Sequence, residues 1–199
     1  MRSWAAGGVE ASYRPLDWQM LCREWRLLLA WGAVALAVMC IFLPWGVRLS
    51  AGCVLTMWLM ALAVLDWRRG LLYDRLVVPL GLAGVLAALA GVTVQPVQAL
   101  LGALLSGSFL WGLRMISRGG LGLGDVKLGF ALGLWLGWQA ALIALLLSFI
   151  MGGLVACALL LLRHCGKDAA LPFGPFLAAG AYLAYIFGAG WWQMYEALL

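Results

Sequence analysis

The chain has 199 residues, of which 66% are hydrophobic and only 11% charged, where a soluble domain carries about 25% charged residues. A mean hydropathy of +1.02 and apolar runs of about 18 residues or more exclude a water-soluble globule, a disordered tail and a collagen-like fibre. The net charge of +5 comes from basic residues scattered between apolar segments, which form no stripe suited to nucleic acid.

In chain order, residues 1–26 predict a cytoplasmic or interfacial segment. They hold Arg2, Arg14, Arg23 and Arg26, with no short apolar core and cleavage site of a signal peptide. Trp18, Leu21, Cys22 and Trp25 recur at i, i+3, i+4 and i+7, the stripe of a helix lying in the membrane interface. Residues 27–190 predict a single transmembrane domain. Charges, Pro and Gly divide it into apolar segments near 27–45, 50–66, 76–92, 97–113, 125–137, 139–162 and 173–189. The stretch 125–162 is too long for one span of about 20 residues, and Gly137-Trp138-Gln139 is the expected break. Residues 191–199 predict a short C-terminal tail, with Trp191 and Trp192 as interface anchors. The fold class expected is therefore an all-α polytopic bundle of about seven transmembrane helices.

The distribution of positive charge gives that bundle an orientation. With the N-terminus cytoplasmic, the inner segments hold the four N-terminal arginines, Arg68, Arg69, Arg75, Arg114, Arg118, Lys127, Arg163 and Lys167. Arg48 alone of the 13 basic residues falls outside. Tight contact in lipid relies on small residues. Gly129, Gly133 and Gly137, and likewise Gly180, Ala184 and Gly188, repeat every four residues on one helical face. The five cysteines include no CxxC pair, so neither a zinc ribbon nor a disulfide framework is expected. The single histidine, His164, stands in a polar loop.

Among the eight acidic residues, two stand out. Asp66 ends the second segment and Asp125 opens the fifth, and both ends fall at the cytoplasmic face. Two carboxylates at one level of a bundle can face each other across a water, one as base and one as acid. Asp125 follows Gly122-Leu123-Gly124 at a helix start, where free N–H groups favour the anion. Asp66 sits at a helix end, where unpaired carbonyls disfavour it. The pair is expected to share one proton at neutral pH, with Asp66 its holder. An N-cap role alone accounts for an acid at position 125. It does not account for one at position 66, and ionisable residues at membrane depth are functional candidates.

The run Gly119-Gly120-Leu121-Gly122-Leu123-Gly124-Asp125-Val126-Lys127 resembles the GxGD signature of the type IV prepilin peptidases, whose aspartate is catalytic. The stretch from Asp66 to Leu80 resembles the other catalytic segment of that family, an aspartate followed by a short loop and a proline-containing helix. Tyr73 stands where the family usually has proline, which predicts a less rigid loop and a weaker role for Asp74. Leu171-Pro172-Phe173-Gly174-Pro175-Phe176 is similar to the family's PFGP turn before the last helix. The resemblance runs from about Leu55 to Tyr185.

It implies a membrane aspartic endopeptidase of the bacterial inner membrane that cleaves the basic leader of type IV prepilins or pseudopilins at the cytoplasmic face. Asp66 and Asp125 would be catalytic, with neither cofactor nor metal. Gly122, Gly124, Lys127, Asp74, Pro172, Gly174 and Pro175 would shape the loops or the substrate path. Lys127 is expected either to favour the Asp125 anion or to bind a lipid phosphate. Larger relatives carry a zinc-binding loop with two CxxC pairs and also methylate the product. This chain has only a short segment before its first helix and no such loop, so it reads as the short form, with methyl transfer doubtful. Partners would be the prepilin substrate, membrane lipid and the pilus or secretion machinery. The competing readings are a GxGD protease with other substrates, a proton-coupled transporter using the acids as a relay, and a non-catalytic assembly protein.

Overall fold

A computed structural model describes residues 25–118, 120–162 and 172–198. The interfacial stripe at 18–25 falls almost wholly outside them, as do His164 and the basic residues Arg163 and Lys167. Within the described residues there are six helices and no strands. They are α1 (Trp25–Phe42), α2 (Val47–Arg69), α3 (Asp74–Leu89), α4 (Pro96–Ile116), α5 (Leu123–Leu161) and α6 (Gly174–Leu198). Three elements are long and apolar enough to cross a membrane: Val47–Arg69, Pro96–Ile116 and Leu123–Leu159. Large apolar side chains such as Ile41, Leu82, Leu86, Leu104, Leu146 and Leu154 are exposed on the bundle's outside. A soluble protein would bury them, whereas lipid is their natural solvent.

The count differs from the seven segments expected because 125–137 and 139–162 join into one element. The join is not a straight helix. Gly137 has φ 73° and ψ 171°, a region essentially closed to residues with a Cβ. The contacts on each side show that the chain doubles back there. Gly137 lies against Val94 and Gln98 at the start of α4, while Phe109, farther along α4, meets Phe149 on the second arm at a ring separation of 6.0 Å. The first arm therefore runs antiparallel to α4, and the second returns beside it.

Small residues set the closest approaches, as the four-residue repeats predict. A methyl group at Gly133 would collide with the backbone of Gly102, and one at Gly180 with Ala144 and Ser148. Where the helices touch, hydroxyls bond to main-chain carbonyls. Ser106 Oγ donates to Gly129 across the α4–α5 contact at 2.8 Å. Tryptophans do the same work for α3, where Pro79 interrupts the helical ladder. Trp58 Nε1 donates to the Leu76 carbonyl at 3.0 Å, and Trp135 Nε1 donates to that of Leu80 at 2.9 Å. The carbonyl that Pro79 deprives of its helical donor is that of Arg75, so the two indoles pin α3 to α2 and α5 and leave neither indole N–H bare in the hydrocarbon.

Two boundaries shift. Helix α2 continues past Asp66 to Arg69 and ends on Gly70, which takes the left-handed conformation at φ 63°. Residues 191–198, expected as a tail, continue α6, with Trp192 Nε1 donating to Glu196 at 2.6 Å.

Candidate active site

Asp66 lies in the last turn of α2, and its carbonyl accepts the Gly70 N–H at 2.7 Å. The αL cap ends the helix and turns the chain into the short loop Leu71–Tyr73. Asp125 lies in the first turn of α5. Since α5 begins at Leu123, Asp125 is its third residue and not an N-cap. Gly122 takes the cap position, and its N–H donates to the Asp125 carboxylate. This is the backward half of a capping box, in which an acid at N3 satisfies the cap's own N–H.

Both carboxylates are buried, Asp66 at 5% and Asp125 at 8% exposure, and the charge on Asp66 acts on Asp125. The two segments that carry them also touch. Leu72, from the loop after Asp66, sits so close to Gly124 that a Cβ there would fall 2.7 Å from that of Leu72. Glycine at 124 thus lets the two loops close on each other. The third motif joins them from α6. Gly174 N–H donates to Asp66 Oδ2 at 2.9 Å, and a Cβ on Gly174 would stand 2.5 Å from that same oxygen. Pro172 precedes this turn. Pro175, the second residue of α6, sits where a missing N–H costs nothing.

Each aspartate is therefore gripped by a glycine N–H from a different loop. Asp125 Oδ1 is left buried without a hydrogen-bond partner. A bare buried carboxylate oxygen is costly, and it is what a site meant to hold a water or a substrate amide would present.

Lys127 finds a partner that neither expectation named. Lys127 Nζ binds Asp74 Oδ2 at 2.6 Å, with both side chains largely exposed. The bridge ties the first turn of α3 to the second turn of α5. Tyr73 corrects the expectation of a looser loop. Its ring is buried, and its hydroxyl accepts a hydrogen bond from Arg69 Nη1 at 2.8 Å, so a side-chain anchor replaces proline's rigidity. Arg114, at the end of α4, donates to the Leu121 carbonyl and holds the loop that leads to Gly122. Sequence reasoning did not pick out Leu72 or Arg114. The available signal for Arg114 was a basic residue in the last turn of the helix that leads into the glycine-rich loop.

A family model, the type IV leader peptidase family, matches residues 53–157. The chain belongs to that family. A prepilin leader peptidase/N-methyltransferase of Aeromonas hydrophila is 40% identical over 190 residues, which are 93% of this chain and 64% of that protein. A protein of the same description from Burkholderia pseudomallei is 37% identical over 165 residues, covering 80% of this chain and 53% of its own length. One from Pseudomonas aeruginosa is 33% identical over 164 residues, covering 78% and 57%. The chain thus spans between about half and two thirds of these relatives' lengths. No solved structure matches it. Each relative's description names two activities, and both buried aspartates lie inside the 53–157 family match.

Proposed function

We propose that the chain is a membrane aspartic endopeptidase that removes the basic leader of type IV prepilins or pseudopilins. One observation carries this reading: two buried carboxylates from distant segments converge, one of them with an oxygen left unpartnered. A structural role would pair these groups or expose them, since an unpaired buried acid destabilises a fold. Family membership supplies the substrate class, and the named activity of the relatives agrees with it.

In the proposed mechanism the pair holds one proton and one water. The ionised carboxylate takes a proton from the water as its oxygen attacks the scissile carbonyl carbon. The protonated partner gives its proton to the carbonyl oxygen, which yields a neutral gem-diol. The C–N bond then breaks as the acid formed in the first step protonates the departing amine. A diol hydroxyl proton returns to the other carboxylate. Each peptide bond consumes one water, and no covalent intermediate forms.

The bundle is further proposed to lie in the inner membrane with its N-terminus and both aspartates at the cytoplasmic side, residues 27–190 forming one peptidase domain. The basic residues support that orientation. The leader of a prepilin would then emerge beside the pair while its apolar helix stays in lipid. The reading covers proteolysis alone and leaves methyl transfer out.

Purified protein incubated with a prepilin should yield a product shortened by the leader, and Asp66→Asn or Asp125→Asn should abolish it. Full cleavage by either variant would sink the two-aspartate mechanism. Mass spectrometry of the new N-terminus, with S-adenosylmethionine supplied, decides whether the amine is also methylated.

A further inference from the structure

The end of the bundle remote from the aspartates contains a cavity of about 110 Å³ that the proteolytic reading leaves unused. It opens where α2 and α4 begin and α5 turns back, with Arg48, Thr93, Gln98, Gln139 and Tyr185 around Gly137. Arg48 is held in place. Its guanidinium carbon lies 5.8 Å from the centre of the Tyr185 ring, and the Tyr185 hydroxyl donates to the Arg48 carbonyl at 2.7 Å. A cation over an aromatic face is attracted to it. Thr93 Oγ1 is buried without a hydrogen-bond partner. Among the described residues lining the cavity none is a carboxylate. A single fixed cation, an unpaired hydroxyl and two amides suit the oxygens of an anion and do not suit a metal ion.

Depth identifies the source of that anion. Arg48 and Asp66 both lie on α2, about 27 Å apart along its axis. This is close to the roughly 30 Å of a bilayer's hydrocarbon core. Tryptophans gather at the same level. Trp45 is exposed, and Trp138 meets Trp192 edge-on at 5.0 Å, as indoles do at the headgroup boundary. Beside the cavity Val47, Val97 and Leu100 present exposed apolar surface that acyl chains would cover.

We propose that this cavity binds the phosphodiester of a membrane phospholipid in the leaflet opposite the aspartates. Arg48 pairs with a phosphate oxygen and Thr93 donates its hydroxyl to another. The proposal does not rest on the proteolytic reading, and its test does not use activity.

The full chain in neutral detergent is titrated with dioleoylphosphatidylglycerol, with dioleoylglycerol, which has the same chains without phosphate, and with inorganic phosphate. Thermal unfolding and native mass spectrometry report binding. The phospholipid should bind and raise the unfolding midpoint, and the other two should not. Arg48→Gln should weaken phospholipid binding on the order of tenfold or more, and Thr93→Val about fivefold. Should Arg48→Gln fail to fold, Thr93→Val decides, since it deletes the hydroxyl and keeps the shape. Inorganic phosphate acting as strongly as the phospholipid overturns the lipid source. Dioleoylglycerol binding equally well, or undiminished phospholipid binding by the variants that fold, overturns the site.

Discussion

The two aspartates are held by the same chemistry at very different sequence range. Asp125 takes its N–H from Gly122, three residues earlier in its own loop. Asp66 takes its N–H from Gly174, 108 residues away on another helix. One half of the pair is therefore a local turn that forms whenever α5 starts. The other exists only while α6 is docked against α2. Loosening the bundle should disturb Asp66 first, which makes Asp66 the more fragile half of the site.

The comparison can be broken outright by removing either acid. Asp66→Asn and Asp125→Asn should each lower leader cleavage by about a thousandfold or more while circular dichroism and the unfolding midpoint stay near those of the parent. A large difference between the two variants would mean that only one of them handles protons. Next come the glycines. A Cβ at position 174 would stand 2.5 Å from Asp66 Oδ2, whereas one at 122 would stand 3.0 Å from Asp125 Oδ2. Gly174→Ala should cost about a hundredfold in kcat, the scale of a misplaced catalytic group, and Gly122→Ala about tenfold on the same reasoning. Reversal of that order would refute the local-versus-distant contrast.

A pair sharing one proton also fixes the shape of the pH profile. Cleavage should fall on the acid side, where both carboxyls are protonated and no base remains, and on the alkaline side, where both are ionised and no acid remains. Each limb should approach about tenfold per pH unit, and a profile flat on both sides would contradict the mechanism. Tyr73→Phe, which deletes the Arg69 hydrogen bond, should destabilise the loop by about 1 kcal/mol, read as a lowered unfolding midpoint with kcat reduced a few-fold. The smallest effect belongs to Lys127→Ala. Exposed ion pairs contribute little, so cleavage should change by no more than about twofold, and less still in high salt.

What the sequence could reveal followed the range of the interactions. Asp66, Asp125 and the Gly137 break stand within short runs whose residue types already carry meaning, such as a GxGD loop or an acid at a helix end. The small-residue faces were equally visible, because the period of a helix puts Gly129 and Gly133 on one side. Partnerships were not. Nothing near Lys127 points to Asp74, 53 residues away, and nothing near Gly174 points to the Asp66 carboxylate. The start of α5, read at Asp125 and found at Leu123, had a smaller cause. Gly122 and Asp125 are both plausible first residues of a helix, and only the backbone decides between them. The helix count turned on a similar matter, since a reversal confined to one glycine leaves the helical pattern continuous on either side.

That reversal has a consequence for how the arm is surrounded. From Leu123 to Leu136 it rises only about 21 Å, roughly 9 Å less than a bilayer's hydrocarbon core. Facing lipid, so short a helix would force the bilayer to thin. Val126, Leu128, Ala131, Leu132, Trp135 and Leu136 are instead buried, so neighbouring helices line most of the arm. The arm that carries Asp125 is thereby excused from matching the thickness of the membrane.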